Sequence, residues 1–135
     1  MPTLLVDVAY CNEVHEAGWQ AMAEHGVIGA YIRLSQGMAI YDTEYAEHWR
    51  EAQAAGLMRG IYHVYDPRYR YTRQVEWIKS HYAGDGELPV CLDVELDLQY
   101  PNAYLINEVN GMLEYLKQLY PRVIIYTGAW WWNVN

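Results

Sequence analysis

Residues 89–95 read Pro89-Val90-Cys91-Leu92-Asp93-Val94-Glu95. The run has the composition of a buried strand, and it ends in two carboxylates one pleat apart. Alternate residues of a strand share a face, so Asp93 and Glu95 point the same way. Two acids on one face of an apolar strand are costly if they are buried without partners. That cost is avoided when the acids sit at the strand's C-terminal end and open into the mouth of a site. Paired carboxylates in such a mouth suit general acid chemistry, of which glycoside hydrolysis is the leading case.

The rest of the chain repeats the same theme. Apolar runs span Leu4 to Ala9, Val27 to Leu34, Met58 to Tyr65, Pro89 to Leu96 and Arg122 to Thr127. They are apolar on both faces, as strands of a helix-covered parallel sheet are. Helical patterns alternate with them over Trp19 to His25, Thr43 to Ala55, Arg73 to Tyr82 and Asn102 to Leu119. The last is the clearest, with Leu105, Val109, Met112, Leu116 and Leu119 in one stripe and Pro121 blocking its continuation. Asp42 or Thr43 is the expected cap of the second helix. A repeated strand-helix unit leaves two architectures, an open doubly wound sheet or a β/α barrel. No Gly-rich phosphate loop follows the first strand, which disfavours the nucleotide-binding sheet. Asp7, Asp66, the Asp93/Glu95 pair and Tyr126 all fall at strand ends, the pattern of a barrel enzyme. The fold class expected is therefore α/β, an irregular β/α barrel of the TIM type. It is incomplete here, because five strands are counted where closure takes about eight.

Bulk properties bound the partners. The chain has 135 residues, one domain's worth, with 53% hydrophobic residues and a net charge of -8. That charge argues against nucleic acid or an anionic membrane surface as partner. Cys11 and Cys91 are too few for a disulfide scaffold and match no metal spacing, so both read as reduced, buried thiols. The five histidines show no metal spacing either, and neither a metal nor a cofactor is expected. Met1-Pro2-Thr3 runs straight into a strand with no signal-peptide pattern, and no apolar run could span a bilayer. The aromatics are skewed to 14 Tyr and 6 Trp with no Phe. Such rings join an apolar face to a polar handle, as sugar recognition requires. Most are expected in core and rim packing; Trp130, Trp131 and Trp132, which follow a strand end, are the exceptions.

Five blocks, in order, resemble glycoside hydrolase family 25, the Chalaropsis-type lysozymes. They are Val6-Asp7-Val8; Ile32-Arg33-Leu34-Ser35-Gln36-Gly37; Ala54-Ala55-Gly56-Leu57 with Gly60-Ile61-Tyr62-His63; Leu88-Pro89 through Glu95; and Ile125-Tyr126-Thr127-Gly128 with Trp131 or Trp132. The resemblance implies an irregular β/α barrel spanning residues 1–135 without its C-terminal strands. It also implies cleavage of the β-1,4 bond between N-acetylmuramic acid and N-acetylglucosamine in peptidoglycan. Glu95 would be the general acid. Asp93 would polarise the substrate acetamido group or steady developing charge, and Asp7 would line the cleft. Tyr62 and Tyr126 would flank the sugar, with Arg33 and Trp131 as further substrate contacts. The activity would be exerted at the bacterial cell wall, outside the cell or after release by a phage. One departure follows Asp7, where Ala9-Tyr10-Cys11-Asn12-Glu13 replaces the family's usual polar-aromatic-Gln-Gly turn.

From the residues alone, each position also has a plainer reading. Asp7 reads as an ordinary strand-end acid, and Tyr62 and Tyr126 as core. Arg33 in an apolar strand needs a carboxylate, with Asp7 or Glu95 as candidates. His63, of opposite parity to Tyr62, should face the helices. Arg68, Arg70 and Arg73 read as a solvated loop face; under the family resemblance they could touch the peptide stem or acidic groups of peptidoglycan. Cys91 shares the parity of the acids and should pack inside. A like-charged neighbour and partial burial should raise the pKa of Glu95. Two rival functions remain: a glycan-binding half-barrel without turnover, and a half-barrel that pairs with itself or with a complementing segment.

Overall fold

The computed structural model describes residues 3–133; Met1 and Pro2 of the expected leader-free start lie outside them. The elements in order are β1 (Leu4–Val8), α1 (Glu16–Glu24), β2 (Val27–Gln36), β3 (Ile40–Tyr41) and α2 (Tyr45–Ala54). Then come β4 (Met58–Val64), α3 (Tyr71–His81), β5 (Val90–Val94), α4 (Asn102–Leu119), β6 (Val123–Thr127) and α5 (Ala129–Trp132). The strands lie in the order β1-β2-β4-β5-β6, all parallel, and β3 pairs antiparallel with β2. The five parallel strands make a half-barrel.

Strand parity divides the sheet into two faces. Ile32, Leu34, Ile61, His63, Leu92 and Val94 are all at 0% exposure on one of them. They share one core with Val75 and Ile78 of α3 and Leu105, Met112 and Leu116 of α4. Truncating any of these large buried side chains to Ala should cost about 2–5 kcal/mol. His63 does sit in this layer. Its Nδ1 accepts from Ser35 Oγ at 2.8 Å, and its Nε2 donates to Gln74 Oε1 at 3.0 Å. Burial pushes its pKa down to about 4, so the ring is neutral.

Four local features depart from the sequence reading. The helix α3 begins at Tyr71, two residues early, because buried Glu108 of α4 accepts the Tyr71 amide at 2.9 Å. That supplies an acceptor and a negative charge at a helix N-terminus. The helix α1 begins at Glu16 rather than Trp19. The strand β5 stops at Val94, leaving Glu95 just beyond it. The strand β3 was not foreseen: Gly37, at φ +55, turns the chain so that Ile40 and Tyr41 fold back on Gln36 and Ser35. Its effect is to return Asp42 to β2, where its amide donates to Leu34 O at 2.9 Å.

Among the described residues, the outer edges of β1 and β6 have no strand partner. Leu4, Leu5, Ile124, Ile125 and Tyr126 are correspondingly exposed. No described helix is long and apolar enough to cross a membrane.

Candidate active site

The other face of the sheet is concave in side chains as well as backbone. Leu5 and Asp7 of β1, Tyr31 of β2, Tyr62 of β4, Cys91 and Asp93 of β5, and Ile124 and Tyr126 of β6 converge on one hollow. Glu95 joins them from just beyond β5, and the hollow measures about 400 Å³. Register explains the convergence. Asp7 lies opposite Tyr31, Tyr62 opposite Cys91, and Asp93 opposite Tyr126, so one parity carries these side chains, and Val6 and Ile125 of the other parity border the hollow at the two edge strands. Tyr31 can lie low in the floor because Gly60 is beneath it. A Cβ at position 60 would come within 2.6 Å of the Tyr31 ring.

Of the seven residues singled out from sequence, Asp7, Tyr62, Asp93, Glu95 and Tyr126 line this hollow. Arg33 shares their strand face and lies close enough to Tyr62 for its charge to act on the phenol. Its partner is neither Asp7 nor Glu95. Arg33 Nε donates to Asp42 Oδ2 at 2.8 Å, and Asp42 is only 1% exposed. Asp42 also accepts the Tyr10 amide at 3.0 Å, and the Tyr10 ring lies 4.9 Å from the Arg33 guanidinium. Trp131 is not in the site. At 3% exposure it belongs to the core, and the flanking Trp130 and Trp132 are the exposed rings. A short helix turns neighbouring residues to different sides, which the bare Trp triplet did not disclose. Asp66 is also outside the hollow, bound instead by Arg68 at 2.6 Å. Cys91 is buried, but Cys11 is exposed, on the loop after β1.

The electrostatics centre on the acid pair. Asp93 is 8% exposed, and its Oδ1 has no hydrogen-bond partner among the described residues. Burial, then the Glu95 charge and a hydrogen bond with Glu95, then Asp7, push its pKa up to about 7. The pair thus keeps a proton near neutrality, and the carboxyl whose pKa is raised is Asp93, in the buried end of the strand. Depth decides it, because desolvation is the largest of the causes. Burial also keeps the Tyr62 phenol protonated, against the pull of Arg33. The Cys91 thiol is pushed up to about 12 by burial and by Asp93, so it is inert packing rather than a nucleophile. No group of three or more His, Cys, Asp or Glu side chains among the described residues is arranged to hold a metal ion.

Two residues of the site escaped sequence reading. Tyr31 has the parity of Arg33 within its strand, and that signal could have found it. Asp42 was read only as a possible helix cap, but the cap of α2 is Glu44; Asp42 Oδ1 accepts the Glu44 amide at 3.0 Å in the turn ahead of the helix.

Comparison with known proteins bears on the family and the fold. "Lysozyme M1" of Streptomyces globisporus is 27% identical over 128 residues, covering 85% of this chain and 43% of that protein. The uncharacterized protein YegX of Escherichia coli is 27% identical over 137 residues, covering 96% of this chain and 50% of that protein. The chain thus spans about half the length of the curated relatives it matches. Among solved structures, a bacterial lysozyme from Streptomyces coelicolor superposes with a TM-score of 0.81 at 27% identity, covering 94% of this chain and 63% of that one. A family GH25 lysozyme from Aspergillus fumigatus has the same fold, with a TM-score of 0.86 at 22% identity over 95% of this chain and 66% of that one. The family profile of "Glycosyl hydrolases family 25" matches residues 6–135, and the chain belongs to that family.

Proposed function

We propose that this chain carries the acid machinery of a peptidoglycan hydrolase of the N-acetylmuramidase type, with Glu95 as general acid. The observation that supports this best is the Asp93–Glu95 pair gathered with Asp7 in a tyrosine-walled hollow, where Asp93 holds a proton up to about pH 7. The glycan strand lies along the hollow with its rings against Tyr62 and Tyr126, while the Tyr62 hydroxyl and Arg33 donate to its oxygens. Glu95, nearer to solvent than Asp93, delivers the pair's shared proton to the leaving glycosidic oxygen as the bond to the anomeric carbon breaks, which leaves Asp93 ionised. Asp93 then orients the acetamido group or offsets the positive charge growing on the sugar until the acetamido oxygen or a water bonds to the anomeric carbon; the proton shed by the water consumed returns to the pair, and Asp7 bounds the cleft on the β1 side. The pair must hold its proton to act, so activity falls as pH rises above about 7.

The substrate would be met at the bacterial cell wall. The test is Glu95→Gln in a wall-turbidity assay with the thermal midpoint measured alongside. Clearing should fall by about 10²-fold or more with the fold intact. Full clearing by the variant would overturn the role of Glu95.

A glycan-binding half-barrel without turnover is the second reading. The open outer edges of β1 and β6 favour it, because both flank the hollow. Sedimentation with purified walls, beside the turbidity assay, separates the two: pelleting without clearing supports binding alone. The same edges are where self-association or a complementing segment would act, and light scattering at rising concentration reads that directly.

A further inference from the structure

The chain is acidic overall, yet one rim at the C-terminal end of the sheet presents cations. The loop after β4 carries Arg68 and Arg70, with side chains 59% and 65% exposed. Each is held from beneath by a buried acid. Arg68 donates through Nε and Nη2 to Asp66, whose side chain is 2% exposed. Arg70 Nε lies 3.1 Å from Glu108, whose side chain is 1% exposed. The loop itself is tied down, because the Gln74 amide donates to the carbonyls of Asp66 and Tyr69 at 2.9 and 2.7 Å. The acids balance the net charge but are sealed from water, so what faces outward is two guanidiniums at fixed positions with unused N–H donors. A fork already oriented loses little freedom when it binds a carboxylate.

Aromatic rings complete the surface. Arg68 lies within electrostatic reach of the phenols of Tyr69 and Tyr100, and Arg70 within reach of Tyr104. Tyr100 and Tyr104 stack at 5.4 Å between ring centroids. The patch lies at the same end of the sheet as the acid pair. The Tyr65 amide, just ahead of the loop, donates to Asp93 O at 2.9 Å, and Tyr100 follows Glu95 by one short loop.

We infer that this rim recognises the carboxylate-bearing peptide stem of peptidoglycan while the glycan occupies the hollow. The inference rests on the reading of the hollow as a glycan cleft. A stem hangs from the muramic sugar beside the bond to be cut, so its carboxylates reach a surface next to Glu95. Arg68 and Arg70 bind them through charge-assisted hydrogen bonds, and the tyrosines cover the aliphatic parts of the stem.

The experiment is co-sedimentation of the 135-residue chain with three wall preparations. One is intact, one has its stems removed by an amidase, and one keeps its stems but has its phosphate polymers removed by acid. The expected result is binding about tenfold weaker to stem-free walls and unchanged on phosphate-free walls. Arg68→Gln/Arg70→Gln should weaken binding to intact walls by a similar factor and leave binding to stem-free walls unaltered. Equal binding of the unmodified chain to intact and stem-free walls overturns the inference and leaves the glycan reading standing. Loss of binding on phosphate-free walls alone overturns it in favour of an anionic polymer. Failure to bind any preparation overturns the glycan reading and this inference with it. The comparison between walls uses the unmodified chain, so it decides the matter even if the double variant folds poorly.

Discussion

Asp93→Asn should stabilise the protein while disabling the site, and the size of the effect follows from the geometry. The folded protein holds the Asp93 proton up to about pH 7, against 3.8 for an unperturbed carboxyl. A gap of about 3 in pKa corresponds to about 4 kcal/mol. The sign follows from proton counting. Between these two values the folded state binds more protons than the unfolded state, so stability falls as pH rises through the window. At pH 8 the whole penalty is present, and removing the ionisable group should recover up to about 4 kcal/mol. Asn keeps the shape, and its amide can donate to Glu95, so little packing is lost. At pH 5 only the part of the window already crossed counts, and the gain should shrink to less than half of its value at pH 8. Urea unfolding of both proteins at pH 8 and pH 5 measures the two gains. A variant no more stable than the parent at pH 8 would refute the reasoning. So would a gain of the same size at both pH values, because it would mean that packing rather than ionisation is responsible.

Three further outcomes follow from other parts of the molecule. Gly60→Ala places a Cβ 2.6 Å from the Tyr31 ring and 2.8 Å from Leu88 Cβ; calorimetry should find a loss of about 1–3 kcal/mol, and wall binding should weaken as Tyr31 is lifted into the hollow. Glu87 is 45% exposed but is the carboxylate partner of Arg59, which is 3% exposed and 4.5 Å from the Trp49 ring. Glu87→Ala should therefore cost about 3 kcal/mol in urea unfolding, far more than an ordinary surface acid. His63, lowered from 6.5 to about 4, gives the opposite pH trend to Asp93. Its unfolded form binds the extra proton, so up to about 3 kcal/mol should be lost as pH falls from 6.5 to 4, and His63→Gln should flatten that limb of the stability curve.

What could be read from the sequence, and what could not, divides along physical lines. The strands were legible because each is apolar on both faces, and α4 because five apolar residues hold one helical stripe. The acid pair was legible because a period of two needs no knowledge of neighbours. Contacts across the sheet were not legible. Asp42 reaches Arg33 only because Gly37 permits a turn and two residues of β3 fold back, and nothing local announces that pairing. The true start of α3 depended on Glu108, 37 residues away from the Tyr71 amide it accepts. Trp131 failed for a different reason: three identical neighbours carry no pattern from which to choose the buried one. The raised pKa of Asp93 depended on depth, and depth is a property of the assembled sheet.

The position of the pair explains how its cost is borne. Asp93 lies in a strand whose five residues are all buried, between β4 and β6. On the opposite parity of that strand, Leu92 and Val94 are wholly buried against the helices. Burying two such side chains contributes about 3–6 kcal/mol, comparable to the penalty of about 4 kcal/mol that Asp93 carries at pH 8. Period two thus lets one short strand anchor the core with one face and hold a strained carboxyl with the other. An acid moved to β1 or β6 would be closer to water at the open edges and would ionise in the ordinary range. Retaining a proton near neutrality requires the middle of the sheet, and the strand that opens the sequence argument is placed there.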